Sequence, residues 1–209
     1  MVKISSFRAL RPKPDLAAQL ASRPYDVLNS QEARAEAAQN PYSFLHITKA
    51  EIDLSPETDS HSQIVYDTAK TNLDQFIQQG VLLREDKPCL YIYRLTMNGK
   101  EQTGLVCCSS IDDYEKDRIK KHELTRPDKE QDRIQHILTT GAQTGNVFLA
   151  YRNVQEIDEL IDRWKNSHAA LYDFIAADGV GHTIWKIDDP ASLSQLTTLF
   201  AERVPATYI

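Results

Sequence analysis

The stretch Cys89-Leu90-Tyr91-Ile92-Tyr93-Arg94-Leu95-Thr96-Met97-Asn98-Gly99-Lys100-Glu101-Gln102-Thr103-Gly104-Leu105-Val106 decides the fold. Tyr91, Ile92, Tyr93 and Thr96 are strand-favouring residues, and Asn98-Gly99 is a strong two-residue turn signal. The stretch therefore predicts a hairpin with arms from Cys89 to Met97 and from Gln102 to Ser110. Leu171 to Ala177 and His182 to Ile187 flank Asp178-Gly179-Val180-Gly181 and predict a second hairpin. Hairpins interrupt an alternating βαβ series. The expected class is α/β or α+β, a mixed sheet with two β-hairpins and about six helices rather than a doubly wound sheet.

The helices follow from periodicity and caps. Ser60 to Gln79 carries Ile64, Val65, Ala69, Leu73, Phe76 and Ile77 at helical spacing, and Gly80 follows as a stop. Val154 to Asn166 places Ile157, Leu160, Ile161 and Trp164 on one face. Asn29 with Glu32 has the form of a capping box, opening a helix that ends before Asn40-Pro41. Asp15 can cap a short helix through Ala21, and Ser192 to Glu202 predicts a final helix. Pro127 suits the first turn of a helix whose apolar stripe is Ile134, Ile137 and Leu138. Val2 to Leu10, Tyr42 to Ile47 and Asn146 to Tyr151 read as strands.

Composition narrows the function classes. With 41% hydrophobic and 26% charged residues the chain is neither disordered nor membrane-like. A net charge of -6, with basic residues interleaved among acids, gives no nucleic-acid face. No apolar run reaches the length of a membrane span, and the start lacks a signal-peptide stretch, so a cytoplasmic location is expected. Cys89, Cys107 and Cys108 form neither a disulfide framework nor a CxxC zinc pattern. The 209 residues are expected to form a single domain, with a sub-boundary near 112–126. A homo-oligomer would need exposed apolar positions, for which Trp164 and Phe200 are candidates.

Ionisable groups concentrate between Ile119 and Arg133. His122-Glu123 begins like the zinc-hydrolase pattern HExxH, but Arg126 stands where the second histidine is required, which excludes that site. His122 remains a candidate general acid or base, and Glu123 a candidate metal ligand or proton acceptor. Lys129 and Arg133 are one helical turn apart, beside a helix start that favours anions. The bland alternative is a solvated face laced with ion pairs. Tyr25-Asp26, behind Arg23-Pro24, can aim a carboxylate into a cleft or simply form a rigid turn. His46, His61, His136 and His168 read as structural or surface residues.

Several motifs, taken in order, resemble a bacterial and archaeal family, the domain of unknown function family 1015. They are Phe7-Arg8-Ala9-Leu10-Arg11-Pro12, Arg23-Pro24-Tyr25-Asp26-Val27-Leu28, Asn40-Pro41-Tyr42-Ser43-Phe44-Leu45-His46, His122-Glu123 with Thr125 and Asp132-Arg133, and Gly181-His182 with Trp185. Family members are longer and carry an Asp-Gly-His-His-Arg element after the counterpart of Pro205 to Ile209, so the resemblance implies the N-terminal half of a longer architecture. That element is similar to a phosphate-handling motif of the ParB and sulfiredoxin superfamily, and members often lie beside serine-biosynthesis genes. The resemblance thus implies small-molecule phosphate-ester chemistry, phosphotransfer or phosphatase, linked to serine or phosphoserine. His122 and Glu123 would be catalytic, and Lys129, Arg133 and Arg11 would bind an anionic metabolite. Tyr25, Asp26, Thr125 and Asp132 would complete the pocket, with Mg²⁺ a candidate cofactor. The alternative is a non-catalytic ligand-binding, regulatory or structural module.

Overall fold

A computed structural model describes residues 1–209. In chain order the elements begin with β1 (Ile4–Ser5), β2 (Leu10–Pro12), α1 (Ala17–Leu20), α2 (Ser30–Ala37), α3 (Leu45–Thr48) and α4 (Gln63–Gln78). Next come β3 (Leu82–Arg84), β4 (Leu90–Met97), β5 (Lys100–Val106), β6 (Cys108–Ser109), α5 (Ile111–Glu115), β7 (Ile119–Lys120) and α6 (Pro127–Thr140). The chain closes with α7 (Gln155–Ser167), β8 (Tyr172–Ile175), β9 (Gly181–Ile187), α8 (Pro190–Arg203) and β10 (Thr207–Tyr208). The class is mixed α and β, as expected. Of the eight α-helices, short α3 and α5 are the two without a sequence signal.

The chain divides into two compact units. The sheet unit comprises Met1–Arg11, Arg84–Glu123 and Val147–Ile209; the helical unit comprises Pro12–Leu83 and Leu124–Asn146.

Both expected hairpins form in the sheet unit. Asn98 and Gly99 take φ of 52° and 73°, the left-handed pair that a tight hairpin turn needs. Met97 faces Lys100, and the register runs back to Tyr91 opposite Val106. β4 also pairs antiparallel with β9, so the hairpins join into one four-stranded sheet of order β5-β4-β9-β8. Leu90 and Ile92 alternate inward on β4, as do Trp185 and Ile187 on β9. They meet Ile157, Leu160, Ile161 and Trp164 of α7 and Leu196 and Phe200 of α8 in one core. Trp164 and Phe200, candidates for an exposed oligomer contact, are therefore buried.

The helical unit packs α4 against α3 and α6. The capping box forms: Glu32 N–H donates to Asn29 Oδ1 at 2.9 Å, and Asn29 N–H to the Glu32 carboxylate at 2.8 Å. Gly80 stops α4 with φ 69°.

Five further sequence readings are corrected. Tyr42 to Ile47 is not a strand; Leu45–Thr48 is a helical turn. Leu45 and Ile47 are both buried, which imitates a two-residue period, but the backbone of Ile47 and Thr48 bonds back to Phe44. Asn146 to Tyr151 makes only a single bridge, Ala150 to Tyr208, and leaves Val147 and Phe148 exposed. Val2 to Leu10 breaks into β1 and the start of β2, which continues through Pro12. Asp15 lies within a 3-10 turn, Pro14–Leu16, instead of capping α1. The largest correction is α6. Ile134, Ile137 and Leu138 face outward, while Asp132, His136 and Thr140 are buried. His136, read as a surface residue, is 3% exposed, and its Nε2 donates to the Ile47 carbonyl at 2.9 Å. Hydrogen bonds to fixed partners thus outweigh hydrophobicity in setting the helix's rotation.

That inverted rotation predicts an inverted mutational pattern. Leu138→Ala, at a 72% exposed position, should change unfolding free energy by no more than about 0.5 kcal/mol. His136→Ala, which orphans a buried carbonyl, should cost about 1–3 kcal/mol. Urea unfolding of both variants checks the order; the reverse order would contradict the rotation.

Candidate functional site

The inward face of α6 builds a polar cluster in the helical unit. Pro127 starts the helix, where its missing N–H costs nothing, and Gly141 ends it in the left-handed region with φ 68°. One and a half turns in, Asp132 is 9% exposed. Its Oδ1 accepts from the Tyr66 hydroxyl at 2.9 Å and from His61 Nδ1 at 3.1 Å. Its Oδ2 accepts from Arg133 Nε and Nη2 at 2.9 and 2.6 Å. The Arg133 guanidinium in turn lies 4.1 Å from the centre of the Tyr25 ring, a cation–π contact.

Two opposed effects act on Asp132. Burial raises its pKa, but hydrogen bonds from Arg133, Tyr66 and His61 and the Arg133 charge outweigh it, and the pKa falls below the ordinary value. Burial, then the bond to Asp132, pushes the Tyr66 phenol up to about 12. The His61 side chain is 55% exposed, and its Nε2 has no partner in the protein. A carboxylate holding Nδ1 while Nε2 stays open is the arrangement that orients an imidazole for proton transfer. On the next turn, burial lowers the pKa of His136, whose Nδ1 is buried without a partner.

A cavity of about 450 Å³ opens in the same unit. It is lined by Ser30, Gln31, Arg34, Glu51, Ser55, Pro56, Thr58 and Ser60, so the residue before His61 forms part of its wall. The volume lies in the range of small-molecule sites.

The sequence-derived candidates distribute unevenly. Tyr25, Asp132 and Arg133 are brought together. Asp26, Thr125 and Lys129 are exposed, and Lys129 makes no ion pair. His122 and Glu123 belong to the sheet unit, where both are exposed; His122 Nε2 is 3.4 Å from Glu123 and Nδ1 donates to the Ile209 oxygen at 2.6 Å. Arg11 is bound to Glu85, which also contacts Lys186 at 3.5 Å and accepts from the Tyr91 hydroxyl at 3.3 Å. No three His, Cys, Asp or Glu side chains converge to hold a metal ion.

Residues 4–209 match the family described as Protein of unknown function (DUF1015). The chain belongs to that family. No curated protein and no solved structure matches it. Within this DUF1015 chain, His61, Tyr66, Arg34 and Glu51 escaped sequence reading. One signal was available: Tyr66 interrupts the apolar stripe of α4 with a hydroxyl, and a buried hydroxyl needs a partner. No helix is long and apolar enough to cross a membrane.

Asp132 yields a signed pH prediction. Its folded pKa is lowered, so its stabilisation is present above the unfolded value of 3.8 and is lost as pH falls through the folded value. Asp132→Asn should cost about 1.5–3 kcal/mol at neutral pH, the range for hydrogen bonds to a charged group. The cost should shrink on acidification. Urea midpoints of wild type and variant from pH 7 to pH 2.5 check it, and a gap that stays constant would contradict an ionised Asp132.

Proposed function

We propose that the chain acts on a small phosphate ester in the helical unit, by phosphotransfer or hydrolysis, with His61 as the proton-transfer group. The observation that carries this reading is the open Nε2 of His61 behind an Asp132 carboxylate held ionised by three donors. In hydrolysis, the phosphorus–oxygen bond of the ester breaks as a bond from water oxygen to phosphorus forms. Nε2 takes the proton from the attacking water, and the leaving alcohol is protonated in turn. Asp132 stabilises the imidazolium while it exists. The family resemblance points to phosphoserine as the ester and serine as its alcohol. Three free cysteines fit a reducing cytoplasmic setting.

A second reading, a ligand-binding module without chemistry, is favoured by one observation. Arg133, the cation of this network, already gives Nε and Nη2 to Asp132 and lies over the Tyr25 ring, which leaves only Nη1 for an incoming phosphate.

Phosphate release from phosphoserine, followed over a pH series, separates the two. The catalytic reading expects turnover that falls at least about 100-fold in His61→Ala, the scale of general acid–base catalysis. It expects a smaller fall in Asp132→Asn. Binding without turnover in wild type would leave only the module reading.

A further inference from the structure

The 450 Å³ cavity carries a charge pattern of its own. Arg34, half-buried on α2, has its guanidinium fixed by three main-chain carbonyls. Nη2 donates to Glu51 O and Leu54 O, both at 3.0 Å, and Nη1 donates to Ile52 O. No carboxylate pairs with it, so its positive charge stands uncompensated at the cavity wall. Beside it, Ser30 and Gln31 open α2 after the Asn29 cap. The capping box accounts for the amides of Asn29 and Glu32, while those of Ser30 and Gln31 find no acceptor in the protein. Fixed guanidinium and free helix-start amides favour an anion from the same side.

Glu51 supplies the opposite demand. The residue is 7% exposed. Its Oε1 accepts from Ser30 Oγ at 2.8 Å and pairs with Lys49 Nζ at 2.9 Å. Its Oε2 accepts nothing from the protein, although the residue lines the cavity. Oε2 is not sealed from solvent, so it stays free to accept from a ligand that enters the cavity. The hydroxyls of Thr58 and Ser60 line the same space and also make no hydrogen bond within the protein.

We infer that this cavity binds a small zwitterion, with its acidic group at Arg34 and the Ser30 and Gln31 amides and its ammonium group at Glu51 Oε2. The acidic group is a carboxylate or a phosphate, and the hydroxyls of Thr58 and Ser60 complete its hydrogen bonding. A plain anion would leave Glu51 Oε2 unpaired; a plain amine would leave Arg34 uncompensated. This inference rests on the proposed reading only in taking the helical unit as the ligand-holding part, and it stands whether or not a reaction follows.

The test is amide-resolved NMR titration of the wild-type chain with serine, phosphoserine, glycerate and inorganic phosphate, repeated on Glu51→Gln. Glu51→Gln keeps an oxygen for Ser30 and removes only the charge. The expected result is shifts at the Ser30, Gln31, Thr58 and Ser60 amides with serine or phosphoserine, and affinity at least tenfold weaker in Glu51→Gln. Glycerate, which replaces the ammonium by a hydroxyl, should bind more weakly than serine in wild type and lose little in the variant. Shifts confined to other residues, no shift with any probe, or equal affinity in wild type and Glu51→Gln would each overturn the inference. Shifts at these four amides without phosphate release would sink the catalytic reading alone.

Discussion

Asp132 is ionised where water barely reaches it, and much of the helical unit is arranged around that fact. A buried carboxylate without donors would be unfavourable by several kcal/mol, of order 3–5 when a partner is lost from a buried pair. Here Tyr66 from α4, Arg133 from its own helix and His61 from the turn before α4 all donate to it. These bonds fix α6 against α4. They also explain why α6 turns a polar face inward and leaves Ile134, Ile137 and Leu138 outside. Arg133 then extends the network to Tyr25, tying the 3-10 turn at Tyr25–Val27 to the same helix.

The sheet unit holds a comparable centre of its own. Glu85 is buried among Arg11, Lys186 and Tyr91. Burial raises its pKa, but Arg11 and the other partners outweigh that, and the net direction is down. Burial and its neighbours push the Tyr91 phenol up. Each unit thus pairs an apolar core with a buried carboxylate that accepts several donors. Such a centre specifies geometry because only one arrangement satisfies every member. In the sheet unit the donors to the centre are two cations and a phenol, with no imidazole among them. In the helical unit it ends in an imidazole with one nitrogen open, which is why function is assigned there.

The hairpins were legible because Asn98-Gly99 dictates its own backbone and the strands alternate. α4 and α7 were legible because their apolar residues repeat at helical spacing and their buried face is apolar. α6 was legible as a helix starting at Pro127, but not in rotation: a hydrophobic stripe is a poor guide when the inward side chains are satisfied by distant partners. The same reason limits the site. Arg133, Asp132 and Tyr25 were found because local charge and a proline turn mark them. His61 and Tyr66 meet Asp132 from about 70 residues away, a separation that spacing rules do not reach. Glu51 and Arg34 were invisible because their roles arise from what lies opposite them in space.

The most direct test of the account is the carboxyl carbon titration of Asp132, followed by NMR in the folded chain. An Asp132 held by Arg133, Tyr66 and His61 should titrate below its ordinary value of 3.8, and should move upward in Arg133→Gln. Titration at or above 3.8 in the wild type would mean that burial prevails over the donors. The ionised centre on which the helical unit and its imidazole depend would then not exist.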